Sequence, residues 1–216
     1  RAWLDARPDR VGIEAKLTAL YAKDTPSHGG IVSRPGRLFA LKFQPPKQQQ
    51  MLVTLASADD LKSEKMVLDP NVLDAKGTTA IDWYVPSPDG RKVAVSLSRA
   101  GSEDGDLHMF DVTTGRAIAE VIPHVQYPTA GGHAAWTDDG SGIWYTRFPG
   151  VERPEADRHF YQTLWFHRIG TPLTDDRQVL ANGLPRVAEI RLEYSTDAHA
   201  LLVTVANGDG GEYAHY

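Results

Sequence analysis

Ser87-Pro-Asp-Gly90, followed after one residue by Lys92-Val-Ala-Val-Ser-Leu-Ser98, is the stretch that decides the fold. An Asp-Gly corner turns a chain because the carboxylate accepts from nearby backbone N–H groups and Gly tolerates a positive φ. The run after it is an alternating β pattern. The same pairing of turn and run recurs twice. Thr137-Asp-Asp-Gly140 precedes Gly142-Ile-Trp-Tyr-Thr-Arg147, and Ser195-Thr-Asp-Ala198 precedes Ala200-Leu-Leu-Val-Thr-Val205. From Ser87 to Thr137 is 50 positions and from Thr137 to Ser195 is 58, near the length of a four-stranded propeller blade. Trp83 precedes Ser87 by four residues while Trp136 abuts Thr137, so the aromatic register supports the repeat less than the turn does.

Working outward, short β-like runs continue on both sides. Arg37-Leu-Phe-Ala-Leu-Lys-Phe43 and Met51-Leu-Val-Thr-Leu-Ala56 flank Pro45-Pro46-Lys47, and Met66-Val-Leu68 is closed by Asp69-Pro70-Asn71. Trp83-Tyr-Val85 leads into the first turn, and Asp106-Leu-His-Met-Phe-Asp-Val112 ends at Thr113-Thr114-Gly115. No second amphipathic helix interrupts the series, which argues against a βαβ architecture. The pattern favours an all-β fold, a partial β-propeller of three or so blades, over a β-sandwich. Propellers close with four to eight blades, and an open one exposes a sheet edge. Three repeats plus the strands before Asp69 therefore predict a chain that continues past Tyr216.

Only the first stretch, Arg1 to about Tyr21, reads as helix. Ile13, Leu17, Leu20 and Tyr21 fall on one helical face, with Pro8-Asp9 as the start and Asp9 as the cap. The expected organisation is an amino-terminal helical segment over 1–26 and a partial propeller over 27–216. The chain begins at Arg1 without an initiator Met or a charged-then-apolar leader, which reads as a fragment.

Composition narrows the partners. The 216 residues are 41% hydrophobic and 24% charged, with a formal net charge of -5. Nucleic acid and anionic membrane surfaces attract basic chains, so neither is expected as a partner. No apolar run approaches the roughly 18 residues of a membrane span. Absence of Cys removes disulfides and thiolate chemistry. A soluble bacterial protein is expected, with cytoplasm and periplasm both open.

Most motifs that carry known chemistry are missing. Gly-x-Ser-x-Gly, the strained elbow that presents a nucleophilic Ser, does not occur; Gly140-Ser141-Gly142 reads as part of a blade turn. His28, His108, His124, His133, His159, His167, His199 and His215 lack metal-ligand spacing and read as structural or solvated. Asn207-Gly-Asp-Gly-Gly-Glu212 alternates oxygen ligands with Gly but lacks the acidic positions of a calcium shell, so a tight turn is expected. Glu103-Asp104-Gly105-Asp106 reads as a solvated loop. No catalytic residue, metal site or cofactor is expected in this chain.

Read in order, the motifs resemble the prolyl oligopeptidase family of serine peptidases across essentially the whole chain. The residues that carry this are Trp3-Leu4-Asp5, Leu68-Asp69-Pro70-Asn71, Ser87 through Ser102 and Asp111 through Gly115. They continue with Ala135-Trp-Thr-Asp-Asp-Gly140, Tyr145 through Pro149 and Phe166-His-Arg-Ile-Gly-Thr171. The resemblance implies a seven-bladed propeller joined to an α/β-hydrolase domain, which carries Ser, Asp and His outside this chain. The helical segment would then pack on the hydrolase domain. It further implies an endo-oligopeptidase that cleaves short peptides after Pro, with the propeller as a size filter. The oligopeptidase B branch, which prefers basic residues, and a non-catalytic protein-binding propeller are the alternatives.

In that family a Phe about five residues before the Trp of the Ala-Trp-Thr motif lines the interdomain cavity. Counting back from Trp136, the position is Gly131, within Thr129-Ala-Gly-Gly-His133. A Cys in the loop after the third apolar strand has its counterpart near Asp209. Both positions here lack the apolar bulk. Gly131, Gly132, Asn207 and Asp209 are accordingly the residues expected to face the cavity.

Overall fold

A computed structural model describes residues 2–22, 25–119, 121–126 and 132–216. Among these, four antiparallel sheets follow one another along the chain. The first is β1 (Ser27–Arg34), β2 (Arg37–Phe43), β3 (Met51–Leu55) and β4 (Lys65–Leu68), paired in that order. The second is β5 (Thr79–Pro86), β6 (Lys92–Arg99) and β7 (Asp106–Asp111), to which bridges at Leu107–Ile122 and Phe110–Ala117 add a fourth stretch. The third is β8 (Ala134–Trp136), β9 (Gly142–Arg147), β10 (Thr163–Arg168) and β11 (Arg177–Leu180). The fourth is β12 (Ala188–Ser195), β13 (Ala200–Asn207) and β14 (Tyr213–His215). Meandering sheets with nearest-neighbour pairing, stacked face to face, are the blades of a propeller. Three blades and most of a fourth are present, which bears out the all-β partial propeller.

The first two Asp-Gly turns are built from the same atoms. Ser87 Oγ donates to Asp89 Oδ1 at 2.6 Å, and Lys92 N–H donates to Ser87 Oγ at 3.0 Å. Thr137 Oγ1 donates to Asp139 Oδ1 at 2.8 Å, and Gly142 N–H donates to Thr137 Oγ1 at 3.0 Å. Gly90 and Gly140 have φ of 66° and 62°, where a Cβ would be strained. The third turn differs. It has Ala198 at the Gly position, and the positive φ passes to His199 at 48°.

Sheet packing makes three apolar layers. Alternate residues of the second sheet serve two of them. Val93, Val95 and Phe110 join Phe39, Leu52 and Val67 against the first sheet, while Ala94, Leu107 and Met109 join Ile143 and Tyr145 against the third. Ala135 and Leu164 meet Ile190, Leu192, Val203 and Val205 between the third and fourth. Each fully buried side chain of this size contributes about 1.5–3 kcal/mol of transfer free energy, so the layers hold the blades together.

The helical segment is two helices, α1 (Ala2–Asp5) and α2 (Arg10–Tyr21), broken around Pro8. Asp9 occupies the cap position, but its side chain accepts no bond from the helix and instead pairs with Arg7 at 3.4 Å. The Asp69-Pro70-Asn71 turn forms a one-turn helix, α3 (Pro70–Leu73), whose Asp69 does cap, accepting from Asn71 N–H at 3.0 Å. No helix of the described residues is long and apolar enough to cross a membrane.

Candidate functional site

The first strand of each sheet lies innermost. One cavity of about 410 Å³ is lined by the end of β1 (Arg34), the end of β5 (Val85, Pro86), β8 (Ala134, Ala135, Trp136) and β12 (Leu192, Tyr194). Four strands from four blades converge only on a propeller's central channel. The inner strands run in one direction, so the assembly has two rims. One carries the hairpins at 87–91, 137–141 and 196–199. The other carries the starts of the inner strands and the longer loops at 44–50, 100–105, 148–162 and 208–212.

Hydrogen bonds stitch each inner strand to the next blade. Tyr84 Oη donates to the Gly30 carbonyl, Trp136 Nε1 to the Val85 carbonyl at 2.9 Å, and Leu192 N–H to His133 Nδ1 at 3.2 Å. A second set spans the hairpin rim. Arg34 Nε donates to the Pro86 and Ser87 carbonyls, Lys92 Nζ to the Gly140 carbonyl at 2.7 Å, and Tyr194 Oη to Asp138 Oδ2 at 3.2 Å. His199 Nδ1 sits 2.7 Å from that same Asp138 oxygen. Burial pushes the Tyr84 phenol up to about 12, so it stays a donor.

Three of the four expected cavity residues, Gly132, Asn207 and Asp209, are placed on the loop-bearing rim. Gly132 is buried beside β8, where an added Cβ would clash with the Gln126 carbonyl. It lines a hollow of about 190 Å³ with Glu189, Arg191, Thr204 and Tyr213. Asn207 ends β13 opposite Ala188 and lines a neighbouring hollow of about 430 Å³ with Leu184, Glu212 and Tyr213. Tyr213 belongs to both. Asp209 stands exposed on a short 3-10 turn (Gly208–Gly210) in the loop between β13 and β14. That loop is a tight one, with Asn207 N–H donating to the Glu212 carbonyl at 3.2 Å and Gly211 left-handed. Gly131 lies outside the described residues.

Several channel residues carry no signal in the sequence. His133 stacks on Trp83 at 6.2 Å between ring centroids and 18° between planes. Burial, then the Arg191 charge, hold its imidazole below the ordinary range, so it is neutral. Because Nδ1 accepts from Leu192, the proton resides on Nε2. Arg34 is also held below its usual value by burial. Its partner carbonyls lie 52 and 53 positions downstream, a distance no local pattern reveals. His167, one of the eight scattered histidines, is fully buried in the third blade, with Nδ1 hydrogen-bonded to Asp176 Oδ1 at 2.7 Å.

Comparison with known proteins agrees with this geometry. The family model described as "Prolyl oligopeptidase, N-terminal beta-propeller domain" matches residues 2–216. Prolyl oligopeptidase A of Amanita bisporigera is 23% identical over 203 residues, covering 82% of this chain and 26% of its own length. A prolyl endopeptidase of Elizabethkingia meningoseptica is 24% identical over 155 residues, covering 68% of this chain and 20% of its own. Among solved structures, one from work on two prolyl endopeptidases and their inter-domain dynamics superposes with a TM-score of 0.81 at 26% identity, over 100% of this chain and 31% of that one. Prolyl oligopeptidase B from Galerina marginata, solved with a 35mer substrate, shares the fold with a TM-score of 0.76 at 18% identity, over 95% of this chain and 31% of its own. The chain thus spans a third or less of the relatives it matches. It belongs to the family of prolyl oligopeptidase amino-terminal β-propeller domains.

Proposed function

We propose that this chain is the gating portion of a serine endo-oligopeptidase that cleaves short peptides after Pro. The observation that carries the reading is the match of residues 2–216 to a prolyl oligopeptidase propeller. The catalytic Ser, Asp and His belong to an α/β-hydrolase domain beyond these residues. A propeller over an acyl-transfer site admits flexible peptides, rejects folded ones by size, and keeps water out when closed.

On this reading the loop-bearing rim faces the hydrolase domain, with Gly132, Asn207 and Asp209 toward the substrate cavity, together with Gly131. Small and polar side chains there, where relatives carry apolar bulk, widen the subsite beyond the Pro pocket. The helical segment, 1–26, docks on the hydrolase domain. In support, Trp3, Leu4, Ile13, Leu17 and Tyr21 line an apolar hollow of about 860 Å³, and Trp3 and Tyr21 are 72% and 80% exposed. Faces of that size are ordinarily covered.

The test is direct. The intact protein reacts with a Ser-directed fluorophosphonate and cleaves a Pro-containing fluorogenic peptide, whereas residues 1–216 alone do neither. Turnover by the isolated chain would overturn this division of labour.

A further inference from the structure

Arg34 is a half-buried cation without a counter-anion. None of the ion pairs among the described residues includes it. Its contacts are neutral carbonyls: Nε and Nη2 both reach Pro86 O, Nε also reaches Ser87 O, and Nη1 reaches Ser33 O. A guanidinium has five N–H donors. Three are committed, which leaves one on each terminal nitrogen, the pair that grips a carboxylate in bidentate fashion. Burial of an unpaired charge is ordinarily relieved by a partner.

The surroundings say what kind of anion fits. The cavity of about 410 Å³ beside Arg34 is walled by Val85, Pro88, Trp136 and Leu192, with His133 at its edge. His133 holds its proton on Nε2, and no residue described takes it in a hydrogen bond. A small hydrated ion gains nothing from indole, Pro and aliphatic walls, whereas a carboxylate on an apolar stem gains from both parts. The walls also lower the local dielectric and strengthen the charge interaction.

We propose that Arg34 and this cavity form a carboxylate-binding pocket on the channel, taking the free C-terminal carboxylate of a peptide whose last residue is apolar. Arg34 supplies the two remaining N–H donors, Trp136 and Leu192 receive the side chain, and His133 Nε2–H is a further donor. Only the identity of the occupant as a peptide rests on the function proposed above. The pocket itself rests on Arg34.

The experiment uses the intact protein and a fluorescein-labelled, Pro-free tetrapeptide ending in Leu, prepared as the free acid and as the amide. Fluorescence anisotropy gives both affinities at fixed ionic strength. The acid is expected to bind about tenfold tighter than the amide, the value of one hydrogen-bonded charge contact. Arg34→Gln should abolish that ratio. Should that variant fail to fold, Arg34→Lys, which keeps the charge but not the paired donors, should cut the ratio several-fold. Equal affinities for acid and amide, or a ratio unchanged in either variant, overturns the proposal. Inorganic phosphate that displaces the peptide as well, mole for mole, as unlabelled peptide acid also overturns it in favour of a general oxyanion site. Hydrolysis of a Pro-containing substrate is followed in parallel. Its absence refutes the peptidase reading and leaves the acid-to-amide ratio to judge the pocket.

Discussion

Replacing Tyr145 by Phe removes one hydroxyl from a buried network in the third blade and changes little else. Asp176 follows a 3-10 turn (Leu173–Asp175), and its side chain is 3% exposed. One carboxylate oxygen accepts from Tyr145 Oη at 2.7 Å, and the other lies 2.7 Å from His167 Nδ1. Burial, then the hydrogen bond to Asp176, push the Tyr145 phenol above its ordinary range, so Tyr145 acts as donor throughout the usable pH range. Phe keeps the ring, and the cavity cost is small. What is lost is a charge-assisted bond to an acceptor with no water to replace it, which costs about 1.5–3 kcal/mol. With a urea m-value of about 2 kcal/mol/M, the midpoint falls by roughly 1 M. Urea unfolding followed by the fluorescence of Trp136, Trp144 and Trp165 measures it. His167→Ala should cost at least as much, because it removes a buried ring and leaves a carboxylate oxygen of Asp176 without its 2.7 Å hydrogen-bond partner. A Tyr145→Phe loss below about 0.5 kcal/mol would refute the reasoning. So would a loss that persists undiminished in an Asp176→Asn background, because the cost would then lie outside this pair.

Three further outcomes are expected. Gly132→Ala should be severely destabilising, since its Cβ would clash with the Gln126 backbone carbonyl; an unaltered thermal midpoint would show that the segment yields freely. Trp136→Phe removes the bond to the Val85 carbonyl between blades and should cost about 1 kcal/mol by chemical denaturation; an unchanged midpoint would show that this bond does not hold the seam. The carboxylates of Asp74 and Asp139 are held down at about 2, the first chiefly by Thr78 and the second by the backbone of Ser141. Because their folded values lie below the unfolded ones, their stabilisation is complete above about pH 4 and is lost as pH falls toward 2. Circular dichroism against pH should show a shallower acid decline in Asp139→Asn, and an unchanged slope would exclude this carboxylate.

Much of the blade architecture is readable in sequence because its turns are local. Ser87 with Asp89, and Thr137 with Asp139, satisfy each other within five residues, so the motif and the structure coincide. The third turn fails the template for a local reason, Ala198 at the Gly position, and the chain answers with a left-handed His199. β1 is hard to read in sequence because Gly29 and Gly30 dilute its apolar pattern, and the register shifts between Gly29 and Val32. β14 is three residues long and wholly exposed. The channel was another matter. Arg34, His133 and Tyr194 take their meaning from partners 52, 59 and 56 positions away, and no periodicity encodes that. The subsite positions came from family resemblance, and only Gly132 and Asn207 line hollows on the loop-bearing rim.

The bonds that stitch blade to blade have a consequence for how the protein is made. Tyr84 reaches the first sheet, Trp136 the second, and Leu192 the third, while Arg34, Lys92 and Asp138 each wait only for the sheet that comes next. Every seam between these sheets is complete as soon as its second sheet has left the ribosome. Among the described residues, no later segment takes part in these bonds. Blades can therefore be laid down in the order of synthesis, each on a finished template, so that at any moment only the newest face stands unprotected.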